Sequence, residues 1–297
     1  MSAVATTQPR RELPYPELLR CMFCTLVVLG HCDLDFIGLA IAGVAGFLAM
    51  SMQFACSDPD PARLHRRAKA TLALWLMWSA LYMLLLVARD AATHRPTGDF
   101  FEPWMLAMGP SMHLWFLPAL CLSLLVLEAA VRLLPHATLR WAAPAIAAAA
   151  FIARVECGPS ALSPPFGQAL LSLFLASLAA ACAWWMPTRI TRSWTIPLWL
   201  ALAAGIACTR FGWTEFAAYL IVVPATVGLC RVEQPGCGRS LLAASALTSG
   251  IYLVHPAVIA TLKFVATPSL PWTPAVLLAS AALVGVARQT RVKKWFG

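Results

Sequence analysis

An arginine and a histidine lie eleven residues apart on the first apolar stretch of the chain, in Arg20-CMFCTLVVLG-His31. An α-helix turns 100° per residue, so this spacing places both side chains on one helix face, about 16 Å apart along the axis. Ionisable residues inside a membrane span are costly and usually face a bundle interior or a wet cavity. The pair therefore predicts chemistry along a line that crosses much of a membrane.

Two carboxylates, Asp33 and Asp35, follow His31 closely. A histidine beside a carboxylate is an ordinary general-base arrangement, because the carboxylate fixes the ring tautomer and stabilises the imidazolium. We expect His31 to act as the base, with one of the two aspartates as its orienting partner. For His113 and His255, a hydrogen bond to a neighbouring helix is a simpler expectation than direct catalysis.

A second group of candidate residues is cationic. Arg63 and Arg66 are three residues apart, and they share a face if that segment is helical. Arginine forks suit phosphate oxygens, so with Arg20 these side chains would form an anion site at one mouth of the protein. On charge alone, the simpler explanation is that they fix membrane topology and contact anionic lipid head groups.

The elements that must position these residues are membrane helices. The chain is 60% hydrophobic and 12% charged over 297 residues, whereas soluble domains carry about 25% charged residues. The apolar runs are too many for one soluble core, which excludes a soluble enzyme. The net charge of +9 lies in short connections between these runs. It therefore reflects topology in the lipid bilayer, and we expect no nucleic-acid binding.

We predict an all-α bundle of about ten transmembrane helices. Their approximate ranges are 17–37, 38–55, 69–89, 112–134, 141–154, 167–187, 194–210, 213–230, 241–263 and 271–288. One transmembrane domain then covers residues 17–288, between an N-terminal tail of residues 1–16 and a basic tail of residues 289–297. The first span is expected to be retained, because no small-residue cleavage site follows it.

The distribution of positive charge sets the orientation of this bundle. With both termini in the cytoplasm, 17 of the 22 lysines and arginines lie on the inner side and 5 on the outer side. Such a split follows the positive-inside rule. The same topology places His31, His113 and His255 toward the outer side, while Arg20, Arg63 and the residues around them lie at the cytoplasmic side.

Several motifs occur in the order in which one protein family carries them. Arg20 and His31 match an R-x10-H signature. Gly43-Val-Ala-Gly46-Phe47 resembles the family's second helix, with Ala45 where serine is usual. The later matches are Arg63-Leu-His-Arg66, His113-Leu-Trp115-Phe116-Leu and Ser249-Gly-Ile-Tyr252-Leu-Val-His255. Through these motifs the chain resembles the acyltransferase 3 family, the bacterial membrane O-acyltransferases.

The resemblance implies a reaction and a role for each candidate residue. Members move an acyl group, usually acetyl, from cytoplasmic acyl-CoA to a sugar hydroxyl of an envelope glycan or exopolysaccharide. The expected location is the bacterial inner membrane. The catalytic residues are then His31, Asp33 and Asp35, and the acyl-CoA-binding residues are Arg20, Arg63 and Arg66. The residues that line the acceptor pocket or support the reacting groups from behind are His113, Trp115, Tyr252 and His255.

The expected partners follow from the same resemblance. Acyl-CoA is a donor substrate, with acetyl-CoA the first choice, and we expect neither a tightly bound cofactor nor a metal ion. The acceptor is a glycan or a lipid-linked saccharide. An acyl-histidine intermediate is less favoured than direct transfer. Some members carry a fused periplasmic hydrolase-like domain; a chain of 297 residues would work without one or with a separate periplasmic or polysaccharide-synthesis partner.

Two other functions fit the same pattern of helices. Charged helices around a midplane cavity also describe carriers, so an exporter or flippase of a glycan or lipid-linked saccharide is the main alternative. A non-catalytic subunit of a polysaccharide synthase is the third. Acylation requires a pocket for the donor and transport does not, and the basic motif that contains Arg63 and Arg66 favours acylation.

Overall fold

The computed structural model describes residues 14–33, 36–93, 102–110, 112–157, 165–210, 215–232, 239–262 and 269–289. Within these ranges the chain is almost wholly helical and forms no strand. The predicted all-α class is therefore confirmed.

The described part of the chain forms ten long helices and one short helix. They are α1 (Pro14–Cys32), α2 (Ile37–Ser57), α3 (Pro61–Ala92), α4 (Met105–Met108), α5 (Phe116–Leu133), α6 (His136–Cys157), α7 (Phe166–Trp185), α8 (Thr195–Arg210), α9 (Glu215–Leu229), α10 (Arg239–Leu262) and α11 (Thr273–Arg288). Short 3-10 turns at Met112–Trp115, Arg192–Trp194 and Leu270–Trp272 precede α5, α8 and α11. Each predicted span has a helix at its position, and α4 is an addition.

Six of these helices are long and apolar enough to cross a membrane by length and composition. They are α2, α3, α5, α6, α7 and the Leu241–Leu262 part of α10. Such a set of helices belongs to a membrane protein. The helix α1 carries Glu17 and Arg20 in its first turns, and α8, α9 and α11 have only 15 or 16 residues. Ten crossings therefore stay a prediction.

The largest departure from the predicted boundaries is at α3. The sequence favoured a long connection from Cys56 to Ala68, whereas α3 begins at Pro61 and runs for 32 residues. The Asp60 side chain accepts hydrogen bonds from the backbone N–H groups of Ala62 and Arg63, each at 3.2 Å. An aspartate N-cap followed by proline at the first helical position stabilises a helix start. The basic motif predicted on a loop therefore lies in the first turns of a helix.

Consecutive helices pack as antiparallel pairs. Between α3 and α5, the Cys121 thiol donates to the Ala68 carbonyl at 3.4 Å, and His65 contacts Glu128 at 3.0 Å. From His65 to Ala68 along α3, the contacts on α5 move back from Glu128 to Cys121. The two helices therefore run in opposite directions, as in an up-and-down bundle. The remaining antiparallel pairs are α1 with α2, α6 with α7, α8 with α9, and α10 with α11.

The helix α2 is the central helix, and it approaches α1 very closely. A Cβ atom added at Gly46 would lie 2.2 Å from the Phe23 ring, and one added at Gly43 would lie 2.7 Å from the Phe23 carbonyl oxygen. Small residues at such spacing allow membrane helices to pack backbone to backbone. Ala45, between the two glycines, is fully buried. The second sequence motif therefore forms the packing surface that holds α1.

The helices α1 and α10 are remote in the sequence but run side by side in the same direction. The Cys24 thiol donates to the Thr248 carbonyl at 3.6 Å, between residues 224 positions apart. The His31 and His255 rings, separated by the same number of positions, also meet. The two helices therefore keep one register over about two turns. We call the end where α1 begins the Arg20 end, and the end where it finishes the His31 end.

Candidate functional site

Two histidine rings form the centre of the site at the His31 end. Their centroids lie 5.2 Å apart, and their planes are inclined by 37°. His255 is fully buried, whereas His31 is partly exposed. Of the two rings, His31 is therefore the one that a substrate can reach, and His255 supports it from within the bundle.

The local sequence of α10 orients the His255 ring. Pro256 has no amide hydrogen, so the carbonyl group of Tyr252 loses its helical donor. The His255 side chain makes hydrogen bonds to the carbonyls of Ile251 and Tyr252, with Nδ1 at 3.2 Å from the Ile251 oxygen. A ring N–H that donates to a carbonyl fixes the tautomer and leaves the other ring nitrogen as an acceptor. Pro256 thus frees the Tyr252 carbonyl, one of the two acceptors that hold this histidine within the continuous helix α10.

Aromatic side chains enclose the histidine pair on one side. The buried Tyr252 ring lies 6.1 Å from the His255 ring. The same ring packs edge-on against Phe47 at 6.0 Å and against Phe116 at 5.8 Å. Edge-to-face pairs of this kind are favourable beyond the area that they bury. They join α2, α5 and α10 and keep water away from this side of the pair.

The helix α3 adds a buried hydrogen bond that the sequence analysis missed. The Tyr82 hydroxyl donates to the Leu253 carbonyl at 2.8 Å. Tyr82 is buried and packs beside Trp78, with ring centroids 6.1 Å apart. Tyrosine in membrane helices usually lies at the water interface. Its position deep within an apolar run was the available signal that Tyr82 has a partner on another helix.

The structure brings together two of the four residues predicted for the acceptor pocket, Tyr252 and His255. Trp115 is half-buried and directly precedes α5. The backbone of His113 belongs to the same 3-10 turn, while its side chain lies outside the described part of the chain. The turn leads into Phe116, which packs against Tyr252. The predicted motif therefore borders the histidine pair through its phenylalanine.

The predicted carboxylate partners of His31 follow α1 directly. Asp33 is half-buried, and its carbonyl accepts a hydrogen bond from the Phe36 N–H at 3.0 Å, within the turn that leads into α2. Asp35 lies outside the described residues. A carboxylate partner for His31 stays a prediction, and the ring contact that the structure describes for His31 is with His255.

Arg20 lies at the opposite end of α1 and is held by a carboxylate one turn earlier. Its Nη1 atom donates to both carboxylate oxygens of Glu17, at 3.0 and 2.9 Å. The Arg20 side chain is 40% exposed. A half-exposed ion pair of this kind contributes little, about 0–1 kcal/mol. The guanidinium can therefore exchange Glu17 for another anion.

Arg63 and Arg66 lie on the first turns of α3. Arg63 is paired with Asp58, and its Nε atom lies 3.9 Å from the Asp60 carboxylate. Arg66 is exposed one turn further along the helix. Both side chains are accessible to a ligand in solution. Because this segment is helical, which the sequence analysis had set as the condition, Arg63 and Arg66 share one helix face.

His65, which lies between these two arginines, instead makes a contact between two helices. Its Nδ1 atom contacts the Glu128 carboxylate at 3.0 Å, and the same carboxylate accepts from Arg132 at 2.9 Å. Because Glu128 and Arg132 lie on α5, this group joins α5 to the start of α3. The R-L-H-R motif therefore combines two exposed cations with one contact between helices.

A further arginine at the Arg20 end is structural. Arg231 is only 7% exposed and donates to the carbonyls of Ala183, Met186 and Pro187. Carbonyls at the end of a helix such as α7 have no helical donors, so Arg231 satisfies them. Burial lowers the pKa of the Arg231 guanidinium from its ordinary value, and the three bonds favour the charged form. The sequence analysis had counted this arginine only as a topology determinant.

Comparison with known proteins gives one match. A family model described as an acyltransferase domain matches residues 13–287 of the 297-residue chain. This match includes both ends of α1, the basic motif of α3 and the histidine of α10, and it agrees with the resemblance found in the ordered motifs. No curated protein and no solved structure matches the chain.

Proposed function

The chain belongs to the acyltransferase 3 family, and from this premise we propose that it moves an acyl group, most simply acetyl, from cytoplasmic acyl-CoA to a hydroxyl of an envelope glycan or exopolysaccharide. The contact between the His31 and His255 rings carries this proposal. A partly exposed histidine, supported by a buried one and bordered by Tyr252, is a suitable base for a hydroxyl group.

In the proposed orientation the chain crosses the bacterial inner membrane ten times with both termini in the cytoplasm. The Arg20 end then faces the cytoplasm and the His31 end faces the outer side. The antiparallel helix pairs support this topology. The parallel packing of α1 and α10 supports it as well, because the first and the ninth crossings must run in the same direction.

The donor would lie along α1. Coenzyme A is polyanionic at one end and carries its thioester at the other. Its phosphates would bind at Arg20, Arg63 and Arg66, where they would replace carboxylate partners that are weakly held. Arginine forks bind phosphate oxygens well. The thioester would then extend toward His31, roughly 16 Å further along the helix axis.

In the chemical step, His31 would take the proton of the sugar hydroxyl as its oxygen attacks the thioester carbonyl carbon. A C–O bond forms, the C–S bond breaks, and the imidazolium returns the proton to the departing CoA thiolate. His255 would hold the His31 ring in position from inside the bundle. Asp33 or Asp35 would stabilise the imidazolium, and His113, Trp115 and Tyr252 would border the sugar.

The direct test uses purified protein in lipid nanodiscs with radiolabelled acetyl-CoA and an envelope glycan fraction. We expect label to enter an alkali-labile ester on the glycan, with one free CoA thiol released for each ester formed. Empty nanodiscs are the control. If the protein forms no ester but moves labelled glycan across a liposome membrane, the proposal is wrong and the exporter function is correct.

The proposed orientation has its own test. A fluorescent protein fused after Gly297 should fluoresce, because it would lie in the cytoplasm. A phosphatase that is active only in the periplasm should be inactive when it is fused at the same position. An active phosphatase at this position would reverse the bundle and place His31 on the cytoplasmic side.

A further inference from the structure

A cavity with a volume of about 400 Å³ lies between α5 on one side and α6 and α7 on the other, within the size range of small-molecule sites. The helices α6 and α7 pair with each other, whereas α5 pairs with α3, so a gap remains between them. Its lining is almost wholly apolar. Small side chains on α6 and α7 leave the gap unfilled; they include Ala142, Ala143, Ala169, Ala176 and Ala180. We call this cavity the α5–α7 groove.

The groove opens sideways and is long enough for one fatty-acyl tail. Leu122, Ile146 and Leu173 line it and are exposed on the side of the bundle. On α7 the lining extends from Phe166 to Trp184, which is roughly 27 Å at 1.5 Å per residue. The hydrocarbon layer of one bilayer leaflet is about 15 Å thick. A phospholipid tail that starts beside Trp184 therefore fits within the groove, and it can enter from the membrane without threading.

Tryptophan side chains gather where the groove reaches the Arg20 end. Trp184 lines the groove there. The next residue, Trp185, packs edge-on against Trp141 of α6, with ring centroids 4.6 Å apart. Its indole N–H donates to the Arg140 carbonyl at 2.7 Å, which ties α6 to α7. Trp141 and Trp185 are exposed, and tryptophans at the ends of membrane helices lie at the level of the lipid head groups. A tail in the groove therefore has its head group at this end.

Arg140 places a cation at this level of the bundle. Its guanidinium lies over the Trp185 ring, with Cζ 4.6 Å from the ring centroid. Within the part of the chain that the structure describes, this guanidinium forms no ion pair and donates no hydrogen bond. The arginines that do pair with carboxylates include Arg20, Arg63 and Arg132. A guanidinium that rests on an aromatic ring uses its face there and keeps its N–H groups for an anion in its plane.

The surface around Arg140 is basic, which selects the charge of the head group. Neither residues 129–155 nor residues 157–214 contain an aspartate or a glutamate. The connection between α7 and α8 adds Arg189 and Arg192. The Glu128 carboxylate on α5 is engaged in the contact between α3 and α5. A zwitterionic head group would bring an ammonium group that has no carboxylate to pair with here, whereas an anionic head group matches a basic pocket between membrane helices.

We propose that the α5–α7 groove binds one molecule of an anionic phospholipid, with a fatty-acyl tail in the groove and the phosphate at Arg140. The ring of Trp184 borders the glycerol backbone between them. Such a lipid fills the space between α5 and the α6–α7 pair, so it stabilises the folded bundle as any ligand of the native state does. This site is separate from the acyl-transfer chemistry, and its test does not depend on the proposed function.

The test separates the head group from the tail. Full-length protein in detergent is titrated with phosphatidylglycerol or with phosphatidylethanolamine that carries the same tails, and bound lipid is counted by native mass spectrometry. Arg140→Gln removes the cation and Arg140→Lys keeps it without the fork; Arg67→Gln, at an exposed arginine of α3, is the matched control. Ala142→Phe on α6 and Ala130→Phe on α5 place a ring in the groove. Their control is Ala148→Phe, at an exposed position outside the lining.

We expect wild type to bind one phosphatidylglycerol about tenfold more tightly than phosphatidylethanolamine, because charge-assisted hydrogen bonds from a guanidinium fork are strong. Arg140→Gln should bind the two lipids equally, and Arg140→Lys should keep part of the preference. Both groove variants should bind either lipid about tenfold more weakly, because the added ring excludes methylene groups of the tail. The two control variants should behave as wild type.

Equal affinities of wild type for the two lipids, a full preference for phosphatidylglycerol in Arg140→Gln, or undiminished binding by both groove variants would overturn the proposal. Competition with glycerol phosphate and with acetyl-CoA tests whether Arg140 binds a soluble phosphate instead. Neither should displace phosphatidylglycerol, and displacement by either would overturn the lipid site. If Arg140→Gln does not fold, the two groove variants on different helices and Arg140→Lys decide the result by the same criteria.

Discussion

The candidate residues at the two ends of α1 are held by different kinds of contact. At the His31 end, rings and a buried hydrogen bond join residues that are far apart in the sequence and lie on several helices. At the Arg20 end, Arg20 and Arg63 are paired with carboxylates three to five residues away. The first arrangement exists only in the folded bundle, whereas the second is largely complete within one or two helical turns.

This difference separates two tasks. A reacting group must be held within a narrow range of positions, which long-range packing and enclosed hydrogen bonds provide. A flexible polyanion needs accessible cations whose partners exchange, and exposed local ion pairs provide these. We therefore expect substitutions at the His31 end to lower kcat and substitutions at the Arg20 end to weaken donor binding.

The largest effect is expected for His31→Gln. Glutamine keeps much of the shape but cannot take the proton, so acetyl transfer at saturating acetyl-CoA should fall by about 10² to 10⁴. Acetyl-CoA affinity should not change, since the proposed phosphate site lies at the other end of α1. His136→Gln is the matched control, because His136 is an exposed histidine on α6. A kcat near the wild-type value would exclude His31 as the base.

The double variant Arg63→Ala, Arg66→Ala should weaken acetyl-CoA binding by roughly 1.5–3 kcal/mol, the range for hydrogen bonds to charged groups. The kcat at saturating donor should stay the same. Removal of two other cations from the same stretch of α3, in Arg67→Ala, Lys69→Ala, controls for general loss of charge. If the two double variants have equal dissociation constants for acetyl-CoA, then Arg63 and Arg66 act in membrane topology or lipid contact and do not bind the donor.

For His255→Asn we expect a smaller fall in kcat, about 10- to 100-fold, which is typical when the partner that orients a functional histidine is removed. The KM for acetyl-CoA should not change. A purely structural role would instead lower the amount of folded protein and leave the kcat of the remainder intact. The number of acetyl-CoA binding sites per protein molecule, measured alongside the kinetics, distinguishes the two results.

The smallest effect is a gain. Asp58 is paired with Arg63, so it would compete with a phosphate of the proposed donor for this guanidinium. In Asp58→Asn the competitor is neutral, and acetyl-CoA should bind up to about fivefold more tightly, within the 0–1 kcal/mol of an exposed pair. The measurement is a donor titration at low salt, where screening is weak. Weaker binding in this variant would show that Asp58 positions Arg63 instead of competing for it.

Features that depend on local spacing could be predicted from the sequence. Arg20 and His31 do lie on one helix, because eleven residues are about three turns wherever a helix forms. The start of α3 also had a local signal, since Asp60 and Pro61 form an N-cap and a first helical position. The run of charges from Arg63 to Lys69 obscured it, because such a run also suits a solvated loop.

Features that depend on the packing of distant helices could not be predicted. The periodicity of α10 places His255 and Tyr252 on that helix, but it does not specify which neighbour they meet. The contact with His31 depends on the register between α1 and α10, which side-chain packing decides. Arg231 is a similar case, since its three acceptors lie more than forty residues away.

The parallel packing of α1 and α10 has a consequence for the time at which the site can form. A ribosome adds about 5–20 residues per second, so the 224 residues between the two histidines take roughly 11–45 s to synthesise. The helix α2 follows at once and can pack on α1 through Gly43 and Gly46. Until α10 is in place, however, His31 of the nascent protein is without its ring partner. Substitutions that delay α10 should therefore increase degradation of the new chain before they change its chemistry.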